Sequence, residues 1–217
     1  MGFDKNELIR MVNLLQGQED IRVTDIPDIE LYMDQLLTFL NGKLKTFARE
    51  PDDKILTKTM INNYTKFQLL TPPRNKKYSK EHILLLILIY QLKNVLTIGD
   101  IKRLFTPILK DISTPDDDLM PLSQIYASFL DLKALQSDDF CDNLAAKFES
   151  IRSMTTTLED EESRDTATVF LIVLMLVAQA NAAKFLAERI IDEYLAPAGT
   201  AREAAGGETA ALLGQPV

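Results

Sequence analysis

Four polar side chains between residues 59 and 66 have the types and spacing needed to contact the edges of nucleic-acid bases. Thr59, Asn62, Asn63 and Lys66 stand at i, i+3, i+4 and i+7, which places them on one face of a helix. Asparagine can pair bidentately with an adenine edge in the major groove, and lysine can reach guanine or phosphate. Two adjacent asparagines are poor helix formers, so we interpret them as functional. The alternative is that they cap or pair with a neighbouring loop.

The flanking residues predict the helix that carries this polar face. Thr57 has a hydroxyl suited to N-capping. The opposite face is an apolar stripe of Met60, Ile61, Tyr64 and Phe67. Pro72 and Pro73 cannot continue a helix and favour extended backbone before them. We therefore predict a recognition helix over residues 57–67.

A short basic loop, residues 72–78, follows this helix, and Ser79 can cap the next one. A helix followed by a basic loop is the layout of a winged helix-turn-helix, in which the helix contacts bases and the wing contacts phosphates. The predicted partner is double-stranded DNA. We predict groove contacts from the polar face and backbone contacts from four wing residues: Arg74, Lys76, Lys77 and Tyr78.

The charge distribution favours the same partner. Residues 54–110 contain eleven Lys or Arg and two acids, a net charge of +9, whereas the other residues contain thirteen Lys or Arg and thirty acids, a net charge of −17. A basic segment inside an acidic chain is typical of contact with nucleic acid or another polyanion. The alternative is that these lysines only solvate helix surfaces.

The central segment resembles the DNA-binding domains of the mercury-resistance regulator (MerR) family. Six residues match the family pattern: Ile61, Tyr64, Leu69, Leu70, Tyr78 and Ser79. At three further positions, Lys66, Lys76 and Lys77, this chain has lysine where the family has arginine. Thr59 and Asn62 depart from the pattern, so the family's individual contacts are not carried over. The resemblance implies a winged helix-turn-helix and dimerisation through C-terminal helices.

Two phrases are similar to a bacterial family described only as domain of unknown function 1836. They are LYMDQ at residues 31–35 and LTKTMINNYTK at residues 56–66. This resemblance covers about residues 21–110 and implies no activity.

Apolar periodicity predicts helices along the rest of the chain, so the expected fold class is all-α. A first helix starts at Asp4 or Asn6 and ends at Gly17, a second runs from Ile29 to about Phe47, and residues 83–90 form a central core helix. The N-terminal domain is predicted over residues 1–112, and the acidic, proline-containing segment 113–118 is a predicted linker.

Residues 119–195 are predicted to form a C-terminal helical bundle for dimerisation or regulation. One helix begins at Pro121 with Leu132 among its inward residues, and a second begins at Ser137 or Asp138. A third, from about Ser163 to Leu195, contains ten consecutive apolar residues, 169–178. That run is too short to span a bilayer, so we expect burial in the bundle or between the subunits of a homodimer. Residues 196–217 are predicted to be a disordered tail.

Sites for catalysis or metal binding are scarce in the sequence. His82 is the one histidine and Cys141 the one cysteine, so no zinc-ligand set is present. We expect a capping or surface role for His82 and a packing role for Cys141. The chain is predicted not to be an enzyme, to bind no cofactor or metal, and to be cytoplasmic because no signal peptide opens it. A small-molecule effector of the C-terminal helices stays open.

The predicted function is therefore a dimeric DNA-binding transcriptional regulator. The alternative is a helical adaptor whose basic face binds an acidic protein partner.

Overall fold

The computed structural model describes residues 2–17, 19–45, 55–109 and 120–195. These ranges form an all-α fold, as predicted, with two very short strands. In chain order the helices are α1 (Lys5–Gln16), α2 (Met33–Leu44), α3 (Lys58–Lys66), α4 (Lys80–Leu92), α5 (Ile98–Phe105), α6 (Leu122–Met154) and α7 (Glu161–Tyr194). A 3-10 turn, Val23–Asp25, precedes α2. The predicted linker 113–118 and the predicted tail 196–217 lie outside the described residues.

Both predicted ends of α1 are confirmed. Asp4 Oδ1 accepts a hydrogen bond from the Glu7 amide at 2.9 Å, which satisfies one of the unpaired donors of the first turn. The Gly17 amide donates to the Asn13 carbonyl at 2.9 Å, directly after the last helical residue.

The second predicted helix begins later than expected. Leu31 and Tyr32 form strand β1, and α2 starts only at Met33. Strand β1 pairs antiparallel with β2 (Lys77–Tyr78), with Leu31 opposite Tyr78 and Tyr32 opposite Lys77. This pairing fixes the loop after α3 to the residues before α2. Alternation along a strand places Leu31 in the core and Tyr32 outside.

The predicted core helix is confirmed as α4. Nine consecutive residues, His82 to Tyr90, are buried, and α4 packs against α2, β2 and α6. A helix that is apolar on every side needs cover on every side. Helices α2 and α6 and strand β2 provide this cover.

The prediction of two helices between residues 121 and 154 is wrong. Helix α6 is continuous over 33 residues, with Ser137 and Asp138 in its interior. Ser and Asp favour helix starts but do not interrupt a helix as Pro or Gly does, and the sequence has neither between Leu122 and Met154. Leu132, predicted to face inward, is 65% exposed.

The described apolar residues form two separate cores. The larger core surrounds α4 and includes Leu122 and Tyr126 at the start of α6 and Ile191 near the end of α7. The smaller core lies at the other end of these two helices, where Leu8 of α1 packs with Phe148 of α6 and Ile172 of α7. Helices α6 and α7 thus run between the two cores. Helix α1 packs against α6. The division of the chain into two domains at residues 113–118 stays a prediction.

Candidate nucleic-acid interface

Helix α3 has the structure that its sequence predicts. The Thr57 hydroxyl caps it by accepting a hydrogen bond from the Met60 amide at 3.2 Å. Ile61 and Tyr64 are 0% and 5% exposed, so they anchor the helix in the larger core. The polar face described above is outside, because each of its four members is exposed: Thr59, Asn62, Asn63 and Lys66.

A side chain of α2 positions the start of α3. Asn41 donates from Nδ2 to the Leu56 carbonyl and accepts at Oδ1 from the Leu56 amide, both at 3.0 Å. This double hydrogen bond holds the residue before Thr57 as a neighbouring strand would. Asn41 gave no signal in the sequence, because an asparagine inside an apolar helix pattern does not reveal its partner.

The end of α3 corrects one apolar assignment. Phe67, predicted to belong to the buried stripe, is 57% exposed. The next residue, Gln68, has φ 58°, and the amides of Leu69 and Leu70 both donate to the Tyr64 carbonyl. This left-handed residue turns the chain back, so Leu69 and Leu70 enter the core instead of Phe67.

The two asparagines have no capping role in the described part of the chain. Neither the Asn62 nor the Asn63 side chain hydrogen-bonds to another described residue, and both are exposed. The interpretation that they pair with a neighbouring loop therefore receives no support from the described residues. Their amide groups are available to a partner.

The predicted wing is a tight hairpin. Asn75 and Lys76 have φ 50° and 62°, and the Lys77 amide donates to the Arg74 carbonyl at 2.9 Å. Two consecutive positive φ angles are the signature of the hairpin turn whose twist matches antiparallel strands. The turn presents Arg74 and Lys76 to solvent.

Tyr78 is a correction to the predicted contact residues. It was expected to hold the DNA backbone, but it is 3% exposed and its ring meets His82 edge-on with the centroids 5.6 Å apart. Burial also raises the pKa of its hydroxyl. Because side chains alternate along a strand, an outward Lys77 requires an inward Tyr78. Tyr78 therefore anchors the wing in the larger core.

Tyr32 is an exposed aromatic residue at the wing that is not among the residues predicted to contact DNA. It is 52% exposed, and Lys77 Nζ lies 5.4 Å from its ring centroid. The interaction of a cation with a ring face holds the lysine at the tip of the sheet. The pairing of residue 32 with residue 77 is a long-range contact, which local periodicity does not reveal.

His82 fixes the connection between α3 and α4. Its Nδ1 accepts from the Ser79 amide at 3.1 Å, and its Nε2 lies 3.2 Å from the Thr71 carbonyl. These partners require the neutral ring with its proton on Nε2. Burial lowers the pKa of His82, which keeps the ring neutral. The predicted capping role is confirmed, whereas the surface position is wrong because the ring is 7% exposed.

The basic residues of segment 54–110 divide into two groups. Beyond α3 and the wing, two cations form ion pairs: Lys80 with Asp28 at 2.6 Å, and Arg103 with Asp100 and Asp192. Lys93 and Lys102 donate to neutral acceptors, the Ile55 carbonyl and the Gln68 side chain. On α3 and the wing, no described cation pairs with a carboxylate of the described residues. These cations are Lys58, Lys66, Arg74, Lys76 and Lys77.

Most of the described cations without a carboxylate partner therefore lie on the two segments predicted to contact DNA. A chain spans at most about 3.5 Å per residue, so Lys66 and Arg74 are separated by no more than roughly 28 Å. One turn of duplex DNA measures about 34 Å. Helix and wing are thus within reach of a single turn of one duplex.

Two further features concern other kinds of site. No group of three or more His, Cys, Asp or Glu side chains among the described residues is placed to hold a metal ion. An open cleft of about 1080 Å³ lies between the 3-10 turn and the start of α6, with Asp20 and Asp131 in its lining. Its lining residues belong to neither α3 nor the wing.

The chain matches a known protein family. A family model described as "Domain of unknown function (DUF1836)" matches residues 21–129, half of the 217-residue chain. No curated protein and no solved structure matches the chain. The matched segment begins at Ile21 and ends at Phe129, and both residues contribute to the larger core. It therefore contains α3 and the wing.

Proposed function

We propose that this chain, which belongs to the DUF1836 family, binds double-stranded DNA through α3 and the wing. In this proposal α2, α3 and the paired strands form a winged helix-turn-helix of the MerR type. The polar face of α3 enters the major groove, and Arg74, Lys76 and Lys77 contact the phosphate backbone. A role in transcription regulation follows if the contacted sequence is an operator.

The observation that carries the proposal is the division of the basic residues. An ion pair within the chain lowers the charge available to a ligand, and the two described cations of the segment that form ion pairs, Lys80 of α4 and Arg103 of α5, lie outside α3 and the wing. The cations of α3 and the wing keep their charge at the surface. A cluster of unneutralised cations beside exposed amides offers both attraction to phosphate and selectivity for bases.

The two groups of contacts are expected to act differently. Phosphate contacts release counterions, so four of them give a slope of about −4 in a plot of log affinity against log salt. An Asn62 or Asn63 contact with adenine contributes about 1 to 3 kcal/mol of discrimination between bases. Lysine contacts with phosphate contribute affinity for every sequence alike.

A DNA titration of the full chain tests the proposal. Fluorescence anisotropy with a random-sequence duplex is measured at two salt concentrations for wild type, Lys76→Ala and Lys80→Ala. Lys80 is the matched control, because it is a basic residue of the same segment but is paired with Asp28. We expect Lys76→Ala to weaken binding and to reduce the salt slope by about 1, and Lys80→Ala to change neither. Absence of binding at low salt, or equal effects of both changes, would contradict the proposal.

Selection of preferred sequences then tests the base contacts. Wild type and Asn62→Ala are each incubated with a duplex library, and the enriched sequences are compared. Asn62→Ala should keep its affinity for the random duplex and lose preference at one position of the enriched site. An unchanged preference would remove Asn62 from the interface.

The same surface supports a second candidate, an adaptor that binds an acidic protein partner. The observation in its favour is that unpaired cations attract carboxylates as well as phosphates, in a chain whose other residues carry a net −17. The adaptor would be favoured if Lys76→Ala abolished capture of an acidic protein while the wild-type chain failed to bind any duplex at low salt.

A further inference from the structure

Helix α7 exposes apolar side chains that the rest of the described chain does not cover. The most apolar 18-residue window of α7 is only 6% buried, although the helix is long and apolar enough to cross a membrane. Six exposed large residues lie within one half of the helix circumference at 100° per residue. They define the apolar face of α7: Val169, Phe170, Val173, Leu174, Val177 and Phe185.

Both ends of α7 are fixed to the folded chain. Near its start, Asp165 accepts a hydrogen bond from the Phe3 amide at 3.0 Å and pairs with Arg152. Near its end, Asp192 pairs with Arg103 at 2.7 Å, and Ile191 is 3% exposed in the larger core. The helix is therefore an integral element of the fold, although much of its length lacks cover.

A lipid bilayer does not fit as the cover. Helices α6 and α7 run between the same two cores, so a membrane that took in the centre of α7 would also take in the centre of α6. That centre carries Asp131, Lys133, Asp138 and Asp139. A charged side chain at the bilayer centre costs about 2.5 to 3.5 kcal/mol or more. Four such residues together oppose insertion.

The segments of the chain outside the described residues offer little apolar cover. Residues 46–54, 110–119 and 196–217 contain six large apolar residues in total: Phe47, Ile112, Leu119, Leu212, Leu213 and Val217. Helix α7 alone has nine exposed large apolar side chains. The cover therefore has to come from another molecule with an apolar surface of its own.

The area of the apolar face suits a dimer of this chain. With about 200 Å² for an aromatic side chain and somewhat less for Val or Leu, its exposed part amounts to roughly 550 Å². A standard interface buries about 800 Å² per partner, of which about 65% is apolar in homodimers. The face thus supplies the apolar share that one partner of a homodimer needs.

We propose that the apolar face of α7 docks against the same face of a second copy of the chain. A two-fold axis brings identical patches together, so each copy provides the apolar surface that the other lacks. Helices α6 and α7 of the two copies then form one helical bundle. This inference does not depend on the proposed DNA binding.

A mass measurement without DNA tests the dimer. Light scattering of the full chain at micromolar concentration should give twice the chain mass of 24.5 kDa. Val173→Glu should give the mass of one chain with unchanged circular dichroism, because Val173 is already 51% exposed in each copy. Leu14→Glu is the matched control, since Leu14 is exposed to 61% but lies on α1; this variant should stay dimeric. A single-chain mass for wild type, or dimers of both variants, would overturn the proposal.

Two further measurements separate the possible occupants. In a Cys141→Ala background, which removes the one cysteine of the chain, cysteines placed at Val173, Leu174 or Val177 should form disulfide-linked dimers under mild oxidation, and a cysteine at Leu14 should not. Flotation with phosphatidylglycerol vesicles should leave the wild-type chain unbound. A monomer that floats with the vesicles would overturn the proposal in favour of a membrane surface.

Discussion

Helices α4 and α7 are both strongly apolar, and they have opposite surroundings. In α4 every residue from His82 to Tyr90 is buried. In the apolar run 169–178 of α7, Ile172 is the one residue that reaches the same burial. The sequences of the two runs are similar in character, so the difference comes from the neighbours and not from the helices.

The comparison shows what an apolar run does and does not specify. It specifies that the helix is stable only when water is kept from its sides. It does not specify what covers it. For α4 the cover is α2, β2 and α6 of the same chain, whereas for α7 we propose a second copy.

The largest expected effect comes from truncating one side chain in each helix. Leu85→Ala should lower the free energy of unfolding by about 2 to 5 kcal/mol, because Leu85 is 0% exposed and a cavity remains. Val173→Ala should cost the monomer less than about 1 kcal/mol. Urea unfolding followed by circular dichroism at two protein concentrations measures both.

The dependence on concentration sharpens this comparison. In a dimer the loss caused by Val173→Ala depends on protein concentration, since association stabilises the folded chain by mass action. The Leu85→Ala loss should change much less with concentration. A Val173→Ala loss that is the same at every concentration would contradict a dimer contact at this residue.

A smaller effect is expected where α7 joins the larger core. Asp100 accepts hydrogen bonds from the Thr97 hydroxyl at 2.6 Å and from Arg103, which also pairs with Asp192 of α7. The Thr97 hydroxyl, with help from Arg103, lowers the pKa of Asp100 below its usual 3.8. Asp100→Asn should cost about 1 to 3 kcal/mol at neutral pH, because a charged hydrogen-bond acceptor is lost.

Acid titration provides the control for this change. A lowered pKa means that the stabilisation by Asp100 is present above pH 3.8 and is lost as the pH falls through the lower, folded-state value. The difference in unfolding free energy between wild type and Asp100→Asn should therefore narrow in acid. If the difference in unfolding free energy stays constant down to pH 2, the effect of Asp100→Asn does not come from the loss of the carboxylate charge.

The smallest effect is expected at the start of α4. Because burial lowers the pKa of His82 below its usual 6.5, the unfolded chain binds the proton more readily than the folded chain. Stability should therefore decrease as the pH falls below about 6.5. His82→Gln keeps an acceptor for the Ser79 amide in the capping position but does not titrate.

Thermal unfolding between pH 5 and pH 7.5 measures this effect. Wild type should lose stability toward pH 5, while His82→Gln should show a shallower dependence. Parallel curves for the two proteins would show that another group is responsible for the pH dependence.

Local patterns were sufficient for much of the interface. The Thr57 cap, the outward face of α3 and the burial of α4 follow from spacing over a few residues, and the structure has them as predicted. Hydrogen bonds of the first helical turn and 3.6-residue periodicity depend on near neighbours alone. The DNA contacts themselves stay a prediction.

The errors occurred where distant residues decide the outcome. Tyr78 turned inward because β2 pairs with β1, 46 residues earlier in the chain. Phe67 lost its core position because Gln68 adopts a left-handed conformation that propensity alone does not predict. Such outcomes depend on tertiary contacts, which outweigh local preference.

The attachment of α1 has a consequence for synthesis of the chain. The Phe3 amide bonds to Asp165, and Leu8 packs with Ile172 in the smaller core. During translation α1 emerges well before its partners, and at about 5 to 20 residues per second the ribosome needs roughly 10 to 30 s to make the intervening residues. Throughout that interval the nascent α1 has to be kept from binding elsewhere, and the smaller core forms only after Ile172 has been made.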